Sequence, residues 1–197
     1  MIDDPTLTFA DGALWARWLA ANHASSRGVW LALAKKGAAH ATVTYAEALD
    51  EALAWGWIDG QKRPQDESVW LQRFTPRKAR SPWSKINRDK VAVLTRAGRM
   101  EAPGIAEVER AKSDGRWEAA YDSAKTSTVP EDLAAALAAS PRAQSFFATV
   151  DAANRYAVLY RVQTAKKPET RAKRIADFVA MLARGETLHP KRVSKGK

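Results

Sequence analysis

The chain has 197 residues, 46% of them hydrophobic, which is enough to bury a sizeable core without disulfide or metal staples. It contains no cysteine, so a thiolate nucleophile, a disulfide framework and a cysteine-ligated metal are all excluded. Its net charge of +10, from 32 basic and 22 acidic residues, favours anionic partners: nucleic acid, phosphorylated ligands or an anionic membrane surface.

Asp11 is placed to cap a first helix with Leu14, Trp15, Trp18 and Leu19 on its inward side, ending before Gly28. Residues 28–36 are apolar on both faces and read as a central strand. Thr44 and Glu47 form a capping box for a helix that presents Tyr45, Ala48, Leu49, Ala52 and Leu53 on one face and ends near Trp55-Gly56. A short strand and turn follow at 57–60. A second strand is expected at 68–75, with Trp70, Gln72 and Phe74 on one face and Val69, Leu71, Arg73 and Thr75 on the other.

Ser81-Pro82 predicts the start of the next helix, which carries Ile86, Val91 and Leu94 and stops at Gly98. Another is expected from about Pro103 to Gly115, with Ile105, Val108 and Ala111 facing inward. Residues 118–128 are polar and aperiodic, a candidate linker. Beyond them the chain reads as helix throughout. Thr128 to Glu131 reads as a second capping box, Ser140-Pro141 as another helix start, Asn154 as a cap, and Pro168 as the opening of a last helix closed by Gly185.

The predicted fold class is α+β and helix-dominated, with a small, mostly antiparallel sheet in the N-terminal part and a helical C-terminal part. The expected organisation is an α+β part over 1–120, a helical part over 121–190, and a basic, disordered tail over 191–197. Trp30, Leu53, Leu71 and Leu182 are all expected to be buried. The start Met1–Pro5 lacks the basic and apolar runs of a signal peptide, and no stretch is long enough to span a membrane. A cytoplasmic protein is the expectation.

Several strings resemble the YdeI/OmpD-associated family, also labelled bacteriocin-protection proteins. They are Trp30-Leu31 with Lys35-Lys36, Gly56-Trp57-Ile58-Asp59-Gly60, Arg73 to Arg77, Trp83 to Asn87, Gly98-Arg99-Met100, Asn154-Arg155-Tyr156 and Thr170 to Ile175. The resemblance runs over about residues 9–190. It implies a link to resistance against bacteriocins or to an outer-membrane porin; it carries no catalytic residues with it.

The richest segment chemically is Arg73 to Lys85. Arg73, Arg77, Arg80 and Lys85, with Ser81 and Ser84, stand before or at a predicted helix start, where free amides and the helix dipole favour an anion. Arginine adds planar, bidentate recognition of phosphate or carboxylate. Trp57 and Trp83 offer aromatic surface beside these cations. Against this stand a solvated basic loop, an arginine paired to Asp59 or Asp66, and a tryptophan-rich core.

Asp59 is the candidate acid–base should the chain be an enzyme on a phosphorylated or carboxylated small molecule, with Arg73 and Arg77 as clamps. No second acid, histidine or serine completes a catalytic set. The three histidines show no ligand spacing, so neither metal nor cofactor is expected. The first expectation is therefore a cytoplasmic binding or stress-protection protein that takes a small anionic ligand or an acidic protein surface. Nucleic acid should bind only weakly and without sequence preference, through phosphate contacts.

Overall fold

The computed structural model describes residues 4–189; the basic tail from Lys191 lies outside them. Among the described residues it holds eight helices and a four-stranded sheet, so the protein is α+β and helix-dominated. The chain divides into two compact units between Ala120 and Tyr121.

The first unit is built on the sheet, with strand order β1-β2-β4-β3. β1 (Thr6–Leu7) pairs parallel to β2 (Val29–Ala34). β4 (Val69–Pro76) runs antiparallel to β2 and to β3 (Trp57–Pro64). β2 is central and buried along almost its whole length, as its two-sided apolar run requires. β3 continues past Gly60 to Pro64, longer than the predicted 57–60. A register shift between Asp59 and Lys62 carries it across the polar, glycine-containing stretch that hid it from periodicity. Asp66 then tightens the hairpin. It accepts from the amides of Ser68 and Val69, and these bonds, with the Ser68 hydroxyl, hold its carboxyl below the usual range.

α1 (Gly12–Asn22) is capped by Asp11, which accepts from Leu14. α2 (Tyr45–Ala54) begins in a complete Thr44–Glu47 capping box. These two helices and the sheet enclose Trp15, Leu19, Leu31, Leu33, Leu53, Trp57 and Phe74. Trp15 and Trp57 place their indole N–H groups on the carbonyls of Ala48 and His23, so each large ring is both packed and hydrogen-bonded. Trp18 is half-buried, its ring stacked on Trp15. A smaller cluster of Trp30, Ala32 and Leu71 lies apart from this core. Trp30, Leu53, Leu71 and Leu182 are all buried, as expected.

α3 (Lys85–Arg96) starts at Ser84, not at Ser81. The Ser81 hydroxyl is spent on the Lys78 amide in a tight turn, whereas Ser84 accepts from Asn87 and so caps the helix. α4 (Ala102–Ser113) buries Val108 and Ala111 but leaves Ile105 exposed, against expectation. Gly104 explains how α4 sits: a Cβ there would lie 2.1 Å from the Ala54 carbonyl oxygen.

The second unit is helical: α5 (Glu131–Ala138), α6 (Pro141–Thr149), α7 (Ala152–Gln163) and α8 (Pro168–Ala183). Its core is aliphatic with two phenylalanines, Phe147 and Phe178. The predicted Thr128–Glu131 box does not form; Pro130 occupies the cap position and Glu131 is already the first helical residue. Asp151, not Asn154, caps α7, because Asn154 lies inside the first turn, buried, bonding Asp151 and the backbone of His189.

Candidate functional site

The segment after β4 runs from Arg77 to the α3 cap at Ser84. Its backbone is tied at the outset by the Arg77 amide on the Gly56 carbonyl, 3.0 Å, and by the Lys78–Ser81 turn. Two guanidinium groups fix its far end. Arg77 is only 6% exposed; its Nη1 donates to the Pro82 carbonyl at 3.2 Å. Arg116 is 7% exposed; its Nη1 donates to the Ser81 carbonyl at 2.9 Å, and its Nε to the Asp114 carboxylate at 2.8 Å.

Aromatic rings complete the support. The Arg77 guanidinium carbon lies 3.5 Å from the Trp83 ring centroid, and Trp83 meets Trp117 edge to face at 4.9 Å. On the far side Arg88 lies over Trp117 at 5.2 Å and donates to its carbonyl at 2.7 Å. The contacts thus run in the order Arg77, Trp83, Trp117, Arg88, two indoles between two cations, and the successive carbonyls of Ser81 and Pro82 are held by the buried Arg116 and Arg77. A desolvated guanidinium over an indole is worth about 2 kcal/mol, against several for its desolvation. The ties to carbonyl oxygens and to Asp114 help offset the difference.

This geometry redistributes the predicted site residues. Arg73 leaves the cluster: its side chain sits on the sheet face opposite Phe74 and holds Asp4, with Nε and Nη2 at 2.8 and 2.5 Å from one carboxylate oxygen. Trp57 and Trp83 are buried in the core and offer no ring face to a ligand. Ser84 is spent as the helix cap. Lys78, Arg80 and Lys85 are exposed and Ser81 is half-buried, so these four, with the first turn of α3, form the accessible surface of the segment.

Asp59 stands elsewhere. It pairs across the sheet with Phe74 and accepts from the Tyr45 hydroxyl at 2.8 Å. Side chains alternate between sheet faces, so Asp59 and Arg73 point to opposite sides. The arginine partners proposed for Asp59 and Asp66 are not used: Asp59 takes Tyr45, and Asp66 takes the hairpin backbone.

Sequence reading missed Arg116 and Trp117. Both lie in an aperiodic stretch just after Gly115, and their partners are 29 to 35 residues away. The only local signal was an arginine beside a tryptophan and an aspartate two residues upstream. Among the described residues no group of three or more His, Asp or Glu side chains could hold a metal ion, and no helix is long and apolar enough to cross a membrane.

No curated protein and no solved structure matches the chain. Two families do. Residues 7–107, slightly more than half the chain, match a family described as a domain of unknown function (DUF8412). Residues 126–185 match the family described as bacteriocin-protection, YdeI or OmpD-associated. The resemblance read along most of the sequence thus resolves into two segments, with the Trp- and Arg-rich strings falling largely in the first. The chain belongs to the family of that domain of unknown function, and its helical second unit carries the YdeI/OmpD-associated, bacteriocin-protection domain.

Proposed function

We propose that this protein is a binding protein acting in stress or bacteriocin protection, and that it takes a small anionic ligand, or an acidic patch of a partner protein, on the segment from Lys78 to Lys85. The observation that carries this reading is the pair of buried guanidinium groups, Arg77 and Arg116, on the successive carbonyls of Pro82 and Ser81. A short loop with several cations would ordinarily be mobile, and ordering it would cost affinity. Here buried arginines hold its backbone beforehand, so the exposed Lys78, Arg80 and Lys85 meet a ligand on a rigid base beside the positive end of α3. The roles are divided: Arg77, Arg116 and Trp83 build the platform, and the exposed cations bind.

The enzymatic alternative, with Asp59 as acid–base and Arg73 as clamp, draws no support from this placement, because the two side chains face opposite sides of the sheet. Nucleic acid binding through the same cations would be weak, sequence-independent and steeply salt-dependent.

Calorimetric titration with inorganic phosphate, nucleoside triphosphates and a short polyglutamate peptide tests the proposal. Saturable binding by at least one probe is expected. Arg80→Ala should weaken it about tenfold, the equivalent of one charge-assisted hydrogen bond, with the melting curve unchanged. No saturable binding by any probe, or binding indifferent to both Arg80→Ala and Lys78→Ala, would sink it.

A further inference from the structure

Trp117 differs from Trp83 and Trp30 in how its ring is covered. On those two indoles the guanidinium groups of Arg77 and Arg63 lie close, at 3.5 and 4.1 Å from the ring centroid. At Trp117 the cations stand further off, Arg88 at 5.2 Å and the Lys112 ammonium at 6.0 Å. Atoms in van der Waals contact lie about 3.5–4.0 Å apart, so neither cation is stacked on this indole. Trp83 meets it edge to face, which occupies one side of the ring at most. Trp117 is half-buried, whereas Trp83 and Trp57 are buried outright.

The ring is also fixed in advance. The Trp117 amide donates to the Ala111 carbonyl at 2.9 Å, and Arg88 holds the Trp117 carbonyl at 2.7 Å. Its chain neighbour, the buried Arg116, is tied to Asp114 and to Ser81. An aromatic surface already held by its backbone loses little freedom when a ligand stacks on it.

This indole adjoins the anion-binding segment. Trp83 of that segment touches it, and Arg116 beside it carries the Ser81 carbonyl. Lys85 stands three residues before Arg88 on α3, so the two cations are neighbours on one side of the helix. A half-exposed ring flanked by Arg88 and Lys112, next to a row of exposed cations, is the arrangement that stacks a base and neutralises its phosphates. The nearby acids leave it open. Arg88 lies 3.9 Å from Glu118, whose side chain is 79% exposed, and Lys112 and Glu109 form an exposed pair on one helix. Such pairs are weak and yield to a phosphate of higher charge.

We infer that the anionic ligand is a nucleoside phosphate, with its base stacked on Trp117 and its phosphates on Lys85 and the neighbouring exposed cations. This rests on the anion-binding reading above and narrows it from any small anion to one that carries a planar ring.

Calorimetric titration of the full chain with adenosine triphosphate and with inorganic tripolyphosphate, both free of divalent metal at about 150 mM salt, tests this. The two probes share the phosphate chain and differ in the ring. The triphosphate should bind about tenfold tighter, the worth of a modest base–aromatic stack. Trp117→Leu should remove that advantage and leave tripolyphosphate binding unchanged, and Trp117→Phe should keep most of it. Arg80→Ala or Lys78→Ala should weaken both probes alike. Denaturant melts check that each variant keeps its fold, and the comparison on the parent chain stands whether or not Trp117→Leu folds. Tripolyphosphate binding with no advantage for the nucleotide, or an advantage that survives Trp117→Leu, overturns this inference and leaves the anion-binding reading standing. A short single-stranded oligonucleotide that binds more tightly than the triphosphate overturns the free nucleotide as ligand. Binding of neither probe removes the anion-binding reading and this inference with it.

Discussion

All eight tryptophans of the chain fall before residue 121, and the second unit has none. The two units solve the packing problem differently. In the first, helices cross a small twisted sheet, and the gaps at such junctions are irregular. Wide rigid rings fill them, each with a polar edge that must find an acceptor, as Trp15 and Trp57 do on the carbonyls of Ala48 and His23. In the second, helices meet helices, and Leu133, Leu137, Val158, Leu159, Ile175 and Leu182 fill regular grooves without polar edges. Arginine is used differently too. Arg77 and Arg116 are buried under a loop in the first unit, whereas Arg171 ties three helices from a half-exposed position in the second. Because every indole lies in one unit, tryptophan fluorescence reads that unit alone, and effects on the two can be separated in the intact chain.

The sharpest break in the first unit is Gly104→Ala. Alanine is the better helix former by about 1 kcal/mol, which alone would stabilise α4. Its Cβ, however, would lie 2.1 Å from the Ala54 oxygen and 2.7 Å from the Ala54 carbonyl carbon, both backbone atoms. Gly56, with φ +75°, sits under Pro103 at the same crossing, so neither side has a flexible group to move aside. Overpacking of this kind costs about 3 kcal/mol and outweighs the propensity gain. The expected outcome is a loss of about 2 kcal/mol in denaturant melts followed by tryptophan fluorescence. A neutral or stabilising result would mean that α4 is not anchored on α2.

In the second unit the corresponding test is Arg171→Met, with a smaller effect. Arg171 donates from Nε and Nη2 to both oxygens of Asp132 at 2.5 and 2.8 Å and from Nη1 to the Val162 carbonyl at 2.9 Å, joining α5, α7 and α8. Methionine keeps much of the stem, so the loss isolates the polar ties. The pair is partly exposed and solvent screens it, which limits the cost to about 1–2 kcal/mol. The Arg171 hydrogen bond holds the Asp132 carboxyl below its usual range. A depressed carboxylate contributes stability above its unfolded value, about 3.9, and loses that contribution as pH falls through the lower folded value. The wild-type advantage over Arg171→Met should therefore be full at neutral pH and shrink on acidification below about 4. Helical signal by circular dichroism, with tryptophan fluorescence unmoved, is the readout. A change in both signals would contradict the assignment of Arg171 to one unit.

How much of this was legible in the sequence depended on whether the determining contact was local. The Asp11 cap, the Thr44–Glu47 box and the Pro168 start were readable, because each is set within four residues. Ser81-Pro82 misled for the opposite reason. The dipeptide fits a helix start, but the Lys78 turn and the guanidinium ties on Ser81 and Pro82 hold it outside the helix, and those partners lie up to 35 residues away. Ile105 was expected inward from its spacing to Val108, yet the short contact at Gly104 sets the rotation of α4 and leaves it exposed. At the candidate site, composition singled out a segment rich in arginine and tryptophan but not which of its side chains are buried. Which arginine is buried and which is exposed is decided by Trp83, Trp117 and Asp114, and no spacing rule links these to Arg77.

The smallest effect, and the finest test of the comparison, concerns Tyr156. Its hydroxyl donates to the Asp122 carbonyl at 2.9 Å, while Gln163 and Asp122 exchange hydrogen bonds through backbone and side chain. This is the second unit's counterpart of an indole on a carbonyl: an aromatic ring with a polar tip, placed where the segment after residue 120 meets α7. Burial, reinforced by Tyr121, Tyr160 and Asp122, pushes the Tyr156 phenol up to about 12. A raised folded value means that the neutral phenol is favoured in the native state. Its contribution is therefore complete below the unfolded value, about 10, and is lost as pH rises through about 12. Tyr156→Phe should cost about 1 kcal/mol near neutrality, the worth of one hydrogen bond. The gap between the two proteins should then close between about pH 10 and 12, because only the parent loses the contribution. Tyr121 and Tyr160 titrate in both proteins and cancel in the difference. Stability curves for the two proteins, followed by far-ultraviolet circular dichroism across that range, decide the matter. Parallel curves would show that the Tyr156 phenol contributes nothing beyond its ring.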